Sequence, residues 1–299
     1  MRIAILGEPG GWHVGRLVAA FANRGHDPAV IRWNELSAGI GLGAAHGPRS
    51  LAEADAVAVR GRPGIPDAGD RLEEVIFRMD SLARLEAGGM PVVNPPRALE
   101  LAIDKYLSLA ILAASGIPVP RTLVVQDAAA ARDALEMLGG DCVAKPLFGS
   151  RGAGLARVTS GEEAAALVRP GGGVVYLQEF LPHAGWDVRL LVIDDRVFAM
   201  KRIAAPGEWR TNISRGARPE AFAPPPAWID LAIRATRAMG ALVAGVDVLQ
   251  ARNGSVSVLE VNGVPAWRGL QNVVPHDIAG EIAVAIERAA RFGSAARPA

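Results

Sequence analysis

An Asn-Gly pair at 253–254 sits between two runs that alternate apolar and polar residues, 244–252 and 255–262. Asn-Gly is the strongest short-range signal for a β-hairpin, because a two-residue type I′ loop needs φ > 0 at both positions. With that pair as the loop, Arg252 pairs with Ser255 and Asp247 falls directly opposite Glu260. Asn262, two residues on, shares their face, while Val246, Val248, Leu259 and Val261 point the other way into a core. Two carboxylates side by side on one sheet face repel. A divalent cation removes that penalty, and two carboxylates with an amide form an all-oxygen set suited to Mg²⁺, which keeps waters and takes phosphate oxygens. The register alone also allows a solvated face whose carboxylates pair with Arg or Lys.

The chain has 299 residues, 50% hydrophobic and 21% charged, enough for two domains or three small ones and too apolar for wholesale disorder. Lys and Arg number 32 against 31 Asp and Glu, so no global field recruits nucleic acid or an anionic membrane. The uncharged stretch 107–120 is broken by Ser, Gly and Pro and is too short to span a bilayer. MRIAILGEPGG reads as a first strand rather than a signal peptide. The single cysteine, Cys142, excludes an internal disulfide and a multi-cysteine metal site, and its apolar strand context makes it a buried thiol. A cytoplasmic protein is expected.

Strands at 2–6, 29–32, 56–60 and 91–94 alternate with helices at 14–23 and 72–87, a pattern that implies a small parallel α/β unit over residues 1–96. Gly7, Gly10 and Gly11 after the first strand lack the spacing of a dinucleotide-binding loop and read as a tight turn. A second unit, 97–181, opens with one helix at 98–115, followed by strands at 122–125, 143–147, 155–158 and 174–180 and helices at 128–138 and 162–168. A third, 182–292, is mostly antiparallel, with strands at 188–193 and 197–202 around Asp194-Asp195, a long helix at 228–239, the Asn-Gly hairpin and a final helix at 278–291. Residues 293–299 form a tail.

Three further features bear on chemistry. Lys145 ends a strand before the loop Phe148-Gly149-Ser150-Arg151-Gly152-Ala153-Gly154. Such a glycine-rich segment between two strands lets backbone N–H groups approach phosphate oxygens, although by itself it equally describes a mobile hairpin. The strand end Gln178-Glu179-Phe180-Leu181 can offer backbone groups and a carboxylate to an adenosine, or be a solvated strand end. Counting back from Asp194-Asp195 sets Asp187 opposite Arg202, with Arg189 on the same face and Lys201 on the other. Asp187–Arg202 reads equally as a structural ion pair, and Arg210, Asn212 and Arg215 as a solvated loop; converging arginines near a cation suit a carboxylate or acyl-phosphate group. His13, His26, His46, His183 and His276 show no metal spacing, no Gly-x-Ser-x-Gly elbow is present, and the aromatic residues, 5% of the chain, form no stacking platform.

Taken in order, Asp104-Lys105, VAKPLFGSRGAG, LQEFL, WDVRLLVIDDRVFAMKR, EWRTNISRGA, GVDVLQ and LEVNGVPAWRGL resemble an ATP-grasp ligase, most closely the RimK-like branch of amino-acid and α-L-glutamate ligases. The resemblance spans about residues 97–290. It implies a mixed α/β and α+β ATP-grasp fold: a small parallel N-terminal domain, a central α+β domain carrying the flap and a C-terminal antiparallel α+β domain carrying the metal site. Lys105 and Lys145 resemble the family's phosphate lysines, and Gly149, Ser150, Arg151 and Gly152 its flap. Gln178, Glu179, Phe180 and Leu181 resemble the adenine and ribose edge, and Asp187 a ribose contact. Arg189 and Arg202 resemble the arginines near the acyl phosphate, with Arg210 beside them. Arg210, Thr211 and Asn212 resemble further nucleotide and phosphate contacts, with Lys201 grouped among them, and Asp247, Glu260 and Asn262 the Mg²⁺ ligands. One departure stands out: where many relatives continue from Glu-x-Asn to a Pro-Gly pair, this chain reads Gly263-Val264-Pro265-Ala266-Trp267-Arg268, which reshapes the acceptor side and looks closer to the branch acting on tetrahydromethanopterin-type cofactors.

The implied activity is ATP-dependent, ADP-forming amide synthesis through an acyl phosphate. The implied cofactors are ATP and Mg²⁺, with Mn²⁺ as a substitute. The implied partners are a small-molecule or peptide carboxylate acceptor and an amino acid, glutamate first, without nucleic acid or membrane; such relatives are often homo-oligomers. The competing functions are a degenerate nucleotide-binding subunit, a biotin-carboxylase-like enzyme and a dinucleotide-dependent oxidoreductase. Intact acidic and lysine positions, the short chain and the incomplete glycine pattern argue against each in turn.

Overall fold

The structure is a computed structural model and describes residues 1–40, 48–64, 71–148, 154–169 and 173–292. The first unit runs β1 (Arg2–Leu6), α1 (Trp12–Asn23), β2 (Asp27–Ile31), α2 (Arg49–Ala52), β3 (Ala56–Val59), α3 (Leu72–Ala87) and β4 (Val92–Val93). Its four strands are all parallel, as the alternation of strands and helices predicts, in the order β2-β1-β3-β4.

The single helix predicted over 98–115 is two helices, α4 (Pro96–Ile103) and α5 (Lys105–Ala114). Asp104 divides them. Its carboxylate accepts the N–H groups of Tyr106 and Leu107 at 2.9 and 3.0 Å, an N-cap that starts a new helix and sets Lys105 at its first position. Beyond them lie β5 (Thr122–Val125), α6 (Ala128–Met137), β6 (Cys142–Lys145), β7 (Ala156–Val158), α7 (Gly161–Ala166) and β8 (Val175–Glu179), whose strands form an antiparallel sheet ordered β5-β8-β6-β7. Cys142, Ala144, Val175 and Leu177 pack one face of this sheet against Ala131, Ala134 and Leu135 of α6. Strand alternation therefore leaves Val143, Lys145 and Gln178 on the opposite face.

The third sheet is built from β9 (Trp186–Ile193), β10 (Arg196–Ile203), β11 (Arg218–Ala221), β12 (Val243–Gln250) and β13 (Val256–Asn262), in the order β11-β10-β9-β12-β13, with α8 (Pro226–Ala238), α9 (Arg268–Gln271) and α10 (Ile278–Phe292) around it. Strand β11 carries too little alternation to be foreseen. On one face, Val188, Leu190, Val192, Val246 and Val248 join Leu109 and Leu112 of α5 and Trp228 and Leu231 of α8. On the other, Leu191, Ile193, Phe198, Met200 and Val243 share a core with Ile3 and Ile5 of β1, Leu17 and Phe21 of α1 and Ile282 and Ile286 of α10. Each such side chain contributes about 1.5–3 kcal/mol when fully buried, so the parallel unit is held firmly on the large sheet. Asn94 fastens the same junction: its Nδ2 donates to the carbonyls of Val243 and Gly263, and its Oδ1 accepts from the N–H groups of Leu242 and Val243. No helix among the described residues is long and apolar enough to cross a membrane.

Candidate active site

The face of the large sheet that is apolar at Leu191, Ile193 and Val243 turns polar two residues along each strand, at Arg189, Asp187, Arg202 and Asp247. There Asp187, Arg202 and Asp247 floor a cleft roofed by the polar face of the small sheet, with Arg189 set behind Asp247 outside the cleft lining. Pairing brings Asp247 opposite Glu260 and Gly245 opposite Asn262, as the hairpin argument predicts. The route differs from the expectation. The loop holds three residues, closed by Ala251 N–H on Ser255 O, and only Gly254 (φ +87) is left-handed. That loop shifts the register by one from Gln250–Val256 onward, and a β-bulge beside Asp247/Val248 shifts it back, with Leu259 as the extra residue. One consequence corrects the sequence reading: Leu259 lines the cleft beside Glu260 instead of entering the core.

The two aspartates are held by arginines. Arg202 grips Asp187 through Nε and Nη2 at 2.7 and 2.5 Å, and Thr211 Oγ1 donates to the same carboxylate at 2.6 Å. Arg189, whose guanidinium comes from the neighbouring strand, binds Asp247 through Nε and Nη2, and Arg202 Nη2 adds a contact at 3.0 Å. Burial opposes the charge on Asp247, but Arg189 and Arg202 outweigh it and hold the carboxyl below its ordinary range. Gly245 makes room for this pair: a Cβ there would lie 3.0 Å from both Arg189 Nη1 and Pro265 Cβ. A glycine inside an apolar strand was the legible sign of that close approach.

Lys145 meets the floor from above. Its Nζ donates to Gln178 Oε1 at 2.6 Å, and Gln178 Nε2 donates to Thr122 Oγ1 and Tyr176 Oη, a chain that aims the amine. Burial lowers the Lys145 amine to about 8, Glu260 and Asp247 act to raise it, and neighbouring Lys105 lowers it further. Lys105 is also pushed down, first by burial, with Glu260 opposing; its Nζ donates to Leu147 O at 3.4 Å. Glu260 is half-buried and makes no hydrogen bond or ion pair among the described residues.

The cleft walls are Val143, Leu155, Phe180, Leu181, Leu249 and Leu259, with Trp209 edge-on to Phe180 at 5.8 Å. Thr211 and Asn212 lie at the rim. Arg210 joins them, locked to Glu208, a partner the sequence reasoning missed; that guanidinium holds the Glu208 carboxyl at about 2. Glu179 borders the cleft but is engaged by Arg121 through backbone and side chain. Lys201 is not brought to the cleft: it lies on the opposite sheet face with its Nζ 4.4 Å from the Trp186 ring centroid. Gly149, Ser150, Arg151 and Gly152 lie outside the described residues.

The donor set for a cation is mixed. Among the described residues no three His, Cys, Asp or Glu cluster. Glu260 offers an uncommitted carboxylate, and Asn262 keeps its Oδ1 while its Nδ2 donates to Gly245 O. Asp247 spends one acceptor site of Oδ1 and two of Oδ2 on arginines, which leaves one site on Oδ1. These hard oxygens fit a magnesium ion that keeps several waters and takes the rest of its shell from phosphate.

A model of the RimK-like ATP-grasp domain matches residues 102–286. The tetrahydromethanopterin:alpha-L-glutamate ligase of Methanosarcina acetivorans is 32% identical, over 88% of this chain and 91% of that one. A probable alpha-L-glutamate ligase of Pseudomonas aeruginosa is 34% identical over 96% of each chain. Among solved structures, the ATP-grasp ligase PsnB, complexed with a phosphomimetic variant of its minimal precursor, Mg and ADP, superposes with a TM-score of 0.75 at 28% identity, covering 97% of this chain and 99% of that one. A RimK-domain ATP-grasp protein of Sphaerobacter thermophilus gives 0.72 at 27% identity, covering 96% and 99%.

Proposed function

The chain belongs to the RimK-like ATP-grasp family of ATP-dependent, ADP-forming amide ligases, and from that premise we propose that it joins glutamate, through an acyl phosphate, to a carboxylate of a small cofactor-like molecule or a peptide. The observation that carries this reading is the convergence of two half-buried lysines, Lys105 and Lys145, on an uncommitted Glu260 at one cleft. Two lysines whose amines burial pushes down gather positive charge beside a carboxylate that stays open among the described residues. It is matched by a polyphosphate carrying a divalent cation.

In this reading the purine lies between Val143, Phe180, Leu181, Leu249 and Leu259, and Lys105 and Lys145 take phosphate oxygens. Glu260, Asn262 and the remaining site on Asp247 Oδ1 would hold Mg²⁺, with Mn²⁺ as a substitute; the ion would supply charge neutralisation at the phosphates. An acceptor carboxylate oxygen attacks the γ-phosphorus and ADP leaves. Arg189 has Nη1 donors left over from Asp247 and directs them at the acyl phosphate, whose charge is greatest as the amine adds. The glutamate amine attacks the acyl carbon, phosphate departs with the electrons of the C–O bond, and the proton shed by the nitrogen leaves with the phosphate. Arg202, which is 5% exposed and committed to Asp187 and Asp247, positions both aspartates rather than touching substrate.

The acceptor class follows the relatives: one named for tetrahydromethanopterin and one solved with a peptide precursor. A screen of carboxylate and amine pairs for phosphate release, with products weighed by mass spectrometry, tests the reading. The expected product carries one or more added glutamyl masses. Glu260→Gln should melt as the parent does and lose about 10²-fold or more in turnover, the scale of a lost electrostatic catalytic group. Full turnover in that variant, or ADP release that ignores every carboxylate, refutes the assignment.

A further inference from the structure

The glycine turn after β1 finds no use in the nucleotide cleft, yet the structure builds something around it. The strand order β2-β1-β3-β4 changes direction at β1, so the crevice beyond the C-terminal ends of β1 and β3 is a topological switch point, where open α/β sheets bind ligands. Gly7 and Gly61 sit at those ends with bare backbones in close approach; a Cβ on Gly7 would come within 3.3 Å of the Gly61 nitrogen. Helix α1 starts beside them at Trp12, without a side-chain cap and without an acidic residue in its first turn. Its first N–H groups are left for an anion.

The second observation is Arg60, the residue after β3. Its guanidinium carbon lies over the Trp267 ring, 4.5 Å from the centroid, and its Nε is buried without a hydrogen-bond partner among the described residues. It forms no ion pair among the described residues. Burial, then Arg62, push it down to about 9, and no carboxylate offsets them. His13, in the first turn of α1, is lowered to about 4 by burial and then by Arg60 and Arg268, and its Nε2 accepts the backbone N–H of Trp267 at 3.1 Å, which leaves Nδ1–H as a donor. A half-buried guanidinium whose Nε is unsatisfied and which has no counter-ion among the described residues is a costly arrangement for a fold to keep.

We propose that Arg60, the first turn of α1 and the Trp267 face form a second anion site that takes the α-carboxylate of the amino acid whose amine is joined. One guanidinium fork and one helix turn match one carboxylate rather than a polyphosphate. Positive groups run from Arg60 to Arg62, Lys105 and Lys145, each in electrostatic reach of the next. The loop that carries Trp267 continues directly from Asn262, and its Pro265 flanks Gly245 together with Arg189. An amino acid anchored on Arg60 therefore lies along the wall shared with the acyl-transfer arginine. The choice of an amino acid rests on the glutamate-ligase reading; the anion site rests on Arg60 itself.

The test titrates the whole protein, saturated with a non-hydrolysable ATP analogue and Mg²⁺, with L-glutamate and with its α-carboxamide, isoglutamine. Heat and tryptophan fluorescence are followed, since Trp267 reports on the guanidinium above it. Glutamate should bind at least about tenfold tighter than isoglutamine, the weight of one charge-assisted pair. Arg60→Gln should remove that preference, weaken glutamate by the same factor and leave affinity for the ATP analogue unchanged. Arg60→Lys, which keeps charge but not the fork, should fall between, and it carries the test if the Gln variant loses its cooperative melt. Glutamate binding unchanged in Arg60→Gln, a preference over isoglutamine that survives it, or no glutamate binding to the parent protein overturns the proposal. Turnover is not part of this readout, so a parent protein that binds glutamate through Arg60 yet joins it to no acceptor in the phosphate-release screen defeats the ligase reading alone.

Discussion

Arg202→Met probes the buried charge network most directly. Arg202, Asp187 and Asp247 are 5%, 3% and 8% exposed, so water contributes little to their charges. Removing the guanidinium leaves Asp187 with a single hydrogen bond, from Thr211, whereas Asp247 keeps both bonds from Arg189. A buried ion left unpaired costs about 3–5 kcal/mol, so Arg202→Met should lose that much and melt on the order of 10 °C lower. Replacing both partners, Arg202→Met with Asp187→Leu, removes the orphaned charge and leaves only the Thr211 hydroxyl unsatisfied, at about 1 kcal/mol. The double variant should therefore be more stable than the Arg202 single variant, with a coupling energy of about 3 kcal/mol. Urea unfolding of the parent, both single variants and the double, followed by circular dichroism at neutral pH, reads these quantities. An Arg202→Met variant within about 1 kcal/mol of the parent, or a double variant whose loss equals the sum of the singles, would refute the reasoning.

Other outcomes follow from the same geometry. Lys145 is lowered to about 8, and phosphate beside it restores the charged form; nucleotide binding should take up a proton at pH 8.5 and none at pH 6.5, seen as a buffer-dependent calorimetric heat that Lys145→Met abolishes. In the ligand-free protein the unfolded lysine holds more protons than the folded one between about pH 8 and 10.5, so Lys145 contributes a rise of stability with pH across that window, which Lys145→Met should lack in urea titrations. Gly245→Ala sets a methyl 3.0 Å from Arg189 Nη1 and from Pro265 Cβ, and should cut ligation far more than it lowers the melting temperature; unchanged kcat would separate Arg189 from the chemistry. Cys142 is fully buried, and burial pushes its thiol up to about 11, so it should resist alkylation at pH 8 until the protein unfolds, as mass spectrometry of iodoacetamide-treated protein would report.

Both carboxylates of the late hairpin were placed opposite each other from sequence, but through two errors that cancel. A two-residue loop was expected where three residues turn, and the bulge at Leu259 restores the pairing. Such a bulge leaves no mark in a pattern of alternating residues, because Leu259 is as apolar as a core residue and only its neighbours decide which side it faces. The hairpin at Asp194 needed no such correction: Asp194 takes φ 57, the strands stay in register, and Asp187 meets Arg202 as counted. The break at Asp104 was hidden for a related reason: its neighbours on both sides are good helix formers, and a cap becomes visible only when the helix axes diverge.

Most elements, the sheet directions, the Asp194 hairpin register that joins acid to arginine, and the ordered motifs of an ATP-grasp ligase were written in the chain, because each depends on residues close together along it. Which cations keep their counter-ions was not. Arg189 reaches Asp247 across 58 residues, and among the described residues Glu260 is left without a partner and Arg60 rests on Trp267 without an ion pair. Charges alike in sequence part ways only when packing removes water from some and not from others. That desolvation belongs to the assembled core, so the tertiary structure alone decides which groups are paired for stability and which stand ready for a ligand.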